Sequence, residues 1–127
     1  RATPVSGTPF PPPRVLVVAG HDSSAGPHGG AGVDADREAL LHFGAAPRTI
    51  VTAWTEQDGV RVTSLRARAA ADWLAEARAE LARAPCIALK TGLLASVEHV
   101  RAARELAISM VGRPLIVDPV FASSSEI

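Results

Sequence analysis

The sequence predicts a three-layer α/β fold: a mostly parallel sheet with helices on both faces. Two observations carry the prediction. Short β-branched runs alternate with alanine-rich stretches of helical length, the pattern of repeated strand and crossover-helix units. The runs are also apolar throughout instead of alternating with polar residues, as strands covered on both faces require.

In chain order, residues 1–13 hold five of the ten prolines (Pro4, Pro9, Pro11, Pro12 and Pro13), which remove backbone donors and favour an extended conformation. This segment reads as a proline-rich, solvated leader before an α/β portion at residues 14–127. Strands are expected at residues 15–19, 49–54, 86–90 and 115–117, with a further short candidate at 59–65. Helices are expected at 33–43, 67–84 and 96–111. In the second helix Ala70, Leu74, Ala77 and Leu81 form one stripe that should pack on the sheet, leaving Arg68, Asp72, Glu76 and Arg83 to solvent. Ser96 is a natural N-cap for the third helix, Glu98 suits its first turn, and Gly112 with Pro114 closes it. Trp73 should flank the stripe, His42 and His99 should face solvent, and Cys86 and Met110 should fill the core.

Composition narrows the function classes. Thirteen Lys and Arg balance thirteen Asp and Glu, so no net charge draws the chain to nucleic acid or an anionic membrane. A 47% hydrophobic and 20% charged composition suits one core. The longest apolar runs fall short of the ~18–20 residues a bilayer span needs. The single cysteine, Cys86, permits neither an internal disulfide nor a cysteine-built zinc site and fits a cytoplasmic setting. The opening RATPVSGTPFPPPR lacks the apolar core of a signal peptide, and with Arg1 first the chain reads as a piece of something longer.

Five of residues 20–32 are glycine, between a buried strand and an amphipathic helix. In a parallel α/β protein this is the carboxyl edge of the sheet, where glycines admit a ligand close to the backbone and the helix start offers free N–H groups. The phosphate-cradling pattern GxxxxGK[ST] is absent. Gly30, Gly32 and Ala35 satisfy a GxGxxA spacing, with Glu56 as a candidate ribose-binding carboxylate, so a dinucleotide-binding domain is an alternative. Against it, the fingerprint should follow its strand directly, whereas Gly30 comes ten residues after Gly20. Gln57 should project from the same edge, and its amide offers a donor and an acceptor in one plane, as the edge of an aminopyrimidine requires. Lys90, Gly92 and Asp118 stand at the ends of later strands.

In order, AGHDSS, GGAGVDAD, VTAWTEQDG, LKTGLLAS and IVDPVF resemble the amino-terminal half of the hydroxymethylpyrimidine kinase/phosphomethylpyrimidine kinase family of thiamine biosynthesis, within the ribokinase-like superfamily. The resemblance implies transfer of the ATP γ-phosphoryl group, assisted by Mg2+, to 4-amino-5-hydroxymethyl-2-methylpyrimidine and then to its monophosphate. It implies that Gly20, Asp22, Ala31, Asp36, Gln57, Leu93 and Val120 surround the substrate, and that Lys90 and Asp118 lie in the phosphate and magnesium region. Leu93 stands where the family often has methionine. Ala25, Gly26, Pro27 and His28 form an insertion in the first motif. By the same resemblance the ATP surface, a glycine-rich anion hole and a catalytic cysteine acting as base would lie past Ile127, so no catalytic residue is expected here and this chain alone should be inactive. Residues 115–117 would be an interior strand of the complete sheet; their open edge here suggests self-association as a homo-oligomer. A non-catalytic pyrimidine-binding module is the other alternative.

Overall fold

The computed structural model describes residues 10–24, 26, 30–58 and 60–120. Most of the proline leader, Ala25, Pro27 and His28 of the insertion, and residues 121–127 lie outside the described residues. The elements are β1 (Arg14–Asp22), α1 (Val33–His42), β2 (Ala46–Gln57), β3 (Val62–Ala67), α2 (Ala70–Arg83), β4 (Ala88–Thr91), α3 (Val97–Ser109) and β5 (Leu115–Val117). They form one sheet in the order β3-β2-β1-β4-β5, parallel except for β3.

β1 occupies the centre because its sequence is apolar on both faces. Leu16 and Val18 point into a core with Ile50, Trp73, Leu89 and Leu106, on the side of α2 and α3. Val15, Val17 and Ala19 point the other way, toward Val33 of α1. The period-two alternation of side chains therefore serves two apolar layers, which is why the sequence shows a continuous run. Along α2, Leu74 and Ala77 are buried, while Ala70 and Leu81 pack against the same core. Ser96 caps α3 as expected, its Oγ accepting the His99 N–H at 3.1 Å. Cys86 and Met110 are buried. No described helix is long and apolar enough to cross a membrane.

Several elements depart from the pattern in the sequence. The helix expected from residue 67 begins at Ala70, because β3 claims the preceding residues by antiparallel pairing: Ala67 lies opposite Ala53 and Arg66 opposite Trp54. The Arg66 guanidinium sits 4.2 Å from the centroid of the Trp54 ring, and the Arg68 N–H donates to the Thr52 carbonyl at 2.8 Å. Helical periodicity carries no signal of such a partner. The strand expected from residue 86 begins at Ala88. Trp73 does not flank the α2 stripe; it is fully buried and among the largest core side chains.

His99 is also buried, not solvent-facing. Its Nε2 lies 2.7 Å from the Arg68 carbonyl, its Nδ1 accepts the Ala95 N–H at 3.2 Å, and its ring meets Trp73 edge-on. With a partner for each nitrogen, the imidazole enters the core without an unmet hydrogen bond. β5 forms the open edge expected of this chain, but its faces are not covered, with Leu115, Ile116 and Val117 at 50%, 48% and 59% exposure.

Candidate functional site

Parallel strands deliver their following loops to one edge of a sheet. At that edge lies a pocket of about 900 Å³. β1 contributes Gly20 and Asp22, the connection to α1 contributes Ala31, and the first turn of α1 contributes Asp36. β2 contributes Thr55 and Gln57, which share a face by alternation, and β4 contributes Lys90. The β4–α3 connection adds Leu93, and the chain after β5 adds Asp118 and Val120. Thus the nine residues singled out in the sequence line one cavity. Sequence reasoning missed the wall made by Val62, Thr63, Ser64 and Leu65 of β3. Its only advance signal was the short candidate strand at residues 59–65, which carries no recognisable motif.

Two glycines are required by the geometry. Gly32, at φ 79°, bridges back to His21, and a Cβ there would fall 2.1 Å from the Gly20 carbonyl oxygen. The glycine-rich segment thereby returns to the end of β1 before α1 begins. A Cβ on Gly20 would stand 2.9 Å from Leu93 Cδ2, so the absence of a side chain lets the Leu93 wall close against β1.

The polar groups are tied across elements. Asp22 Oδ1 accepts from the Ser24 N–H at 3.0 Å and from the Ser24 hydroxyl at 2.6 Å, and Ser24 Oγ accepts the Gln57 N–H at 2.9 Å. The Ser23 N–H donates to the Thr55 carbonyl at 2.8 Å. The glycine loop is thus stitched to the end of β2 where Gln57 stands. Lys90 Nζ lies 2.5 and 2.6 Å from the two Asp36 oxygens and 3.9 Å from Asp118 Oδ2. It is the one cation among the described lining residues, set against three carboxylates: Asp22, Asp36 and Asp118.

At the end of β2, Asp58 Oδ1 accepts the Arg61 and Val60 N–H groups, each at 2.9 Å, and these bonds hold its carboxyl below its ordinary value. The group thereby fixes the turn into β3. Beside β1, His21 Nδ1 lies 3.4 Å from Asp34 Oδ2.

Glu56, the carboxylate a dinucleotide reading needs, is exposed and is not among the pocket's lining residues, whereas its neighbours Thr55 and Gln57 are. Among the described residues no group of three His, Cys, Asp or Glu side chains could hold a metal ion. The carboxylates of Asp36 and Asp118 already face the Lys90 ammonium.

The phosphomethylpyrimidine kinase family matches residues 26–127. A hydroxymethylpyrimidine/phosphomethylpyrimidine kinase of Streptomyces coelicolor is 36% identical over 112 residues, covering 88% of this chain and 40% of the relative. One from Mycobacterium leprae is 36% identical over 121 residues, covering 91% of this chain and 42% of the relative. The chain therefore spans about two fifths of the length of these relatives. Among solved structures, phosphomethylpyrimidine kinase from Clostridium difficile 630 superposes with a TM-score of 0.77 at 29% identity, covering 89% of this chain and 47% of that one. Pyridoxal kinase from Staphylococcus aureus, in complex with AMP-PCP and pyridoxal, superposes with a TM-score of 0.73 at 26% identity, covering 87% of this chain and 39% of that one. The layered sheet is the ribokinase-like α/β fold of these kinases. With the family matched over residues 26–127 and the fold matched in space, this chain belongs to the phosphomethylpyrimidine kinase family.

Proposed function

We propose that this chain supplies the pyrimidine side of a kinase that phosphorylates 4-amino-5-hydroxymethyl-2-methylpyrimidine and its monophosphate with ATP in thiamine biosynthesis. The observation that carries the reading is that Gly20, Asp36, Gln57 and Leu93, from four separate segments, line one pocket at the carboxyl edge of the sheet. The Gln57 amide suits the ring edge, donating to a ring nitrogen and accepting from the exocyclic amine. Asp36 offers a second acceptor. Leu93, Val120 and the open face of Gly20 provide apolar surface for a flat heteroaromatic ring, with Asp22 and Ala31 on the loop side.

Lys90 and Asp118 stand toward the hydroxymethyl group and, in the second step, its phosphate. In each step a substrate oxygen bonds to the γ-phosphorus, the bond from that phosphorus to the bridging oxygen of ADP breaks, and the acceptor's proton, where it carries one, passes to a base. Such transfer is governed by positioning and charge stabilisation. On this reading the chain's residues orient the acceptor. The ATP surface, the anion hole and the base belong to the length of the relatives that this chain does not span, and Mg2+ would lie toward Lys90 and Asp118 in the intact parent, so the chain alone turns over no ATP. The setting is cytoplasmic, in keeping with a lone buried free thiol at Cys86, and the open apolar β5 edge supports homo-oligomer formation.

Titration calorimetry of the chain with 4-amino-5-hydroxymethyl-2-methylpyrimidine tests the reading. Saturable one-to-one binding is expected, weakened about tenfold by Gln57→Ala through loss of paired hydrogen bonds. Binding of NAD or NADP in place of the aminopyrimidine would overturn it. Binding by this chain together with no phosphorylation by any longer form carrying it would favour a non-catalytic module.

A further inference from the structure

Resting on the pyrimidine-pocket reading, we propose that Thr52 and His99, neither of which lines the pocket, are positioning residues that fix its apolar wall through a closed ring of hydrogen bonds. The Thr52 hydroxyl donates to the Leu93 carbonyl at 2.6 Å. Two residues on, the Ala95 N–H donates to His99 Nδ1 at 3.2 Å. His99 Nε2 donates to the Arg68 carbonyl at 2.7 Å, and the Arg68 N–H donates to the Thr52 carbonyl at 2.8 Å. The ring thus runs from β2 through the β4–α3 connection, α3 and the β3–α2 connection, and returns to β2.

Burial makes this ring specific. Thr52 is 0% exposed and His99 2% exposed. A polar group at such depth costs stability when it loses its partner, and a fully partnered network selects one backbone geometry over its neighbours. Only a neutral imidazole with its proton on Nε2 can donate to Arg68 while accepting from Ala95. The segment the ring holds carries Leu93, which abuts Gly20 so closely that a Cβ on that glycine would fall 2.9 Å from Leu93 Cδ2. A shift of a few tenths of an ångström in the connection would therefore change the width of the slot between Leu93 and β1. Thr52 and His99 set that width from outside the cavity.

The test compares Thr52→Val, which keeps the shape but removes the hydroxyl, with Thr52→Ser, which restores it. The readouts are aminopyrimidine affinity and amide hydrogen exchange in the full 127-residue chain. Thr52→Val is expected to weaken binding about tenfold and to speed exchange of the Ala95 amide about tenfold relative to the β1 amides, and Thr52→Ser to restore both to within about twofold. His99→Leu attacks the ring from its opposite corner and should give the same local signature at Ala95, whereas His99→Gln, with both a donor and an acceptor, should largely rescue it. This second pair decides the matter if Thr52→Val does not fold.

Exchange accelerated uniformly along the chain, or unchanged affinity with unchanged Ala95 exchange, would overturn the positioning role. If the unsubstituted chain binds no aminopyrimidine, the pocket reading fails on its own. The local exchange pattern then still decides whether the ring holds the connection.

Discussion

The two faces of the sheet are built differently. On the side of α2 and α3, Leu16, Val18, Ile50, Trp73, Leu89 and Leu106 belong to a deep apolar layer in which both helices bury residues. On the side of α1 the layer is thin: Val33 is that helix's one buried residue, and Val15, Val17, Ala19 and Ala88 complete the cluster. α1 also starts without a side-chain cap, at Gly32. Since apolar area removed from water supplies most of the favourable free energy of folding, the α2–α3 face should hold the structure together. The glycine-rich loop leads directly into α1, so this part of the pocket stands on the weakly packed face, where adjustment to a ligand costs least.

The largest expected effect tests that asymmetry directly. Trp73→Ala should destabilise the chain by about 3–5 kcal/mol in chemical denaturation, whereas Val33→Ala should cost about 1–2 kcal/mol. Equal losses would mean that α1 is as firmly held as α2, and the contrast between the faces would fail.

Next in size is the polar pin of the thin face. Lys90 lies opposite Val17 in the β1–β4 register and reaches Asp36 on α1, so the pair joins helix to sheet where apolar contact is sparse. Both side chains are less than a quarter exposed. Lys90→Met should therefore cost about 1–2 kcal/mol by leaving the Asp36 carboxylate without its cation. The loss should appear as faster amide exchange in α1, with α3 unchanged. Acceleration spread evenly over both helices would show that the pair acts globally instead of pinning one face.

This asymmetry also explains which parts of the molecule could be read in the sequence. Strands buried on both faces announce themselves, as residues 15–19 did within β1, and motifs that end parallel strands must meet at one edge, so Gly20, Gln57, Leu93 and Asp118 were legible as neighbours. The β3 wall was not. Its side chains are mostly exposed, and it exists because β2 continues to Gln57 and offers a pairing edge, a long-range cause that leaves no local period. His99 failed for a related reason: a histidine at a helix start looks solvated until the Arg68 carbonyl and Ala95 N–H that claim its nitrogens are known. Trp73 stood one position beside the apolar stripe, and two helices meeting on one face bury a wider arc than a single stripe suggests.

The β2–β3 hairpin gives the comparison a lower limit, because β3 buries no residue in either layer. Its stacked pair, Arg66 over Trp54, is worth about 0.5–1 kcal/mol at such a site. Arg66→Ala should therefore cost less than either Val33→Ala or Lys90→Met, while accelerating exchange in β3. A loss as large as that of Lys90→Met would make the hairpin part of the core instead of an appendage to it.

The smallest effect is the acid response of the same hairpin. The Arg61 and Val60 N–H groups stabilise the charged form of Asp58, so its folded value lies below the ordinary 3.8. A depressed folded pKa means that the stabilising contribution is present above the unfolded value and is lost as pH falls through the folded one. The turn should keep its geometry above the ordinary carboxylate value and loosen as pH drops below 3.8. Amide chemical shifts of Val60 and Arg61 followed on acidification should move with a midpoint below 3.8, and Asp58→Asn should abolish the transition without altering the Trp73 environment. A midpoint at or above that value would mean the two N–H groups do not favour the carboxylate, and that the turn is held by the Asp58 N–H to Arg61 carbonyl bond alone.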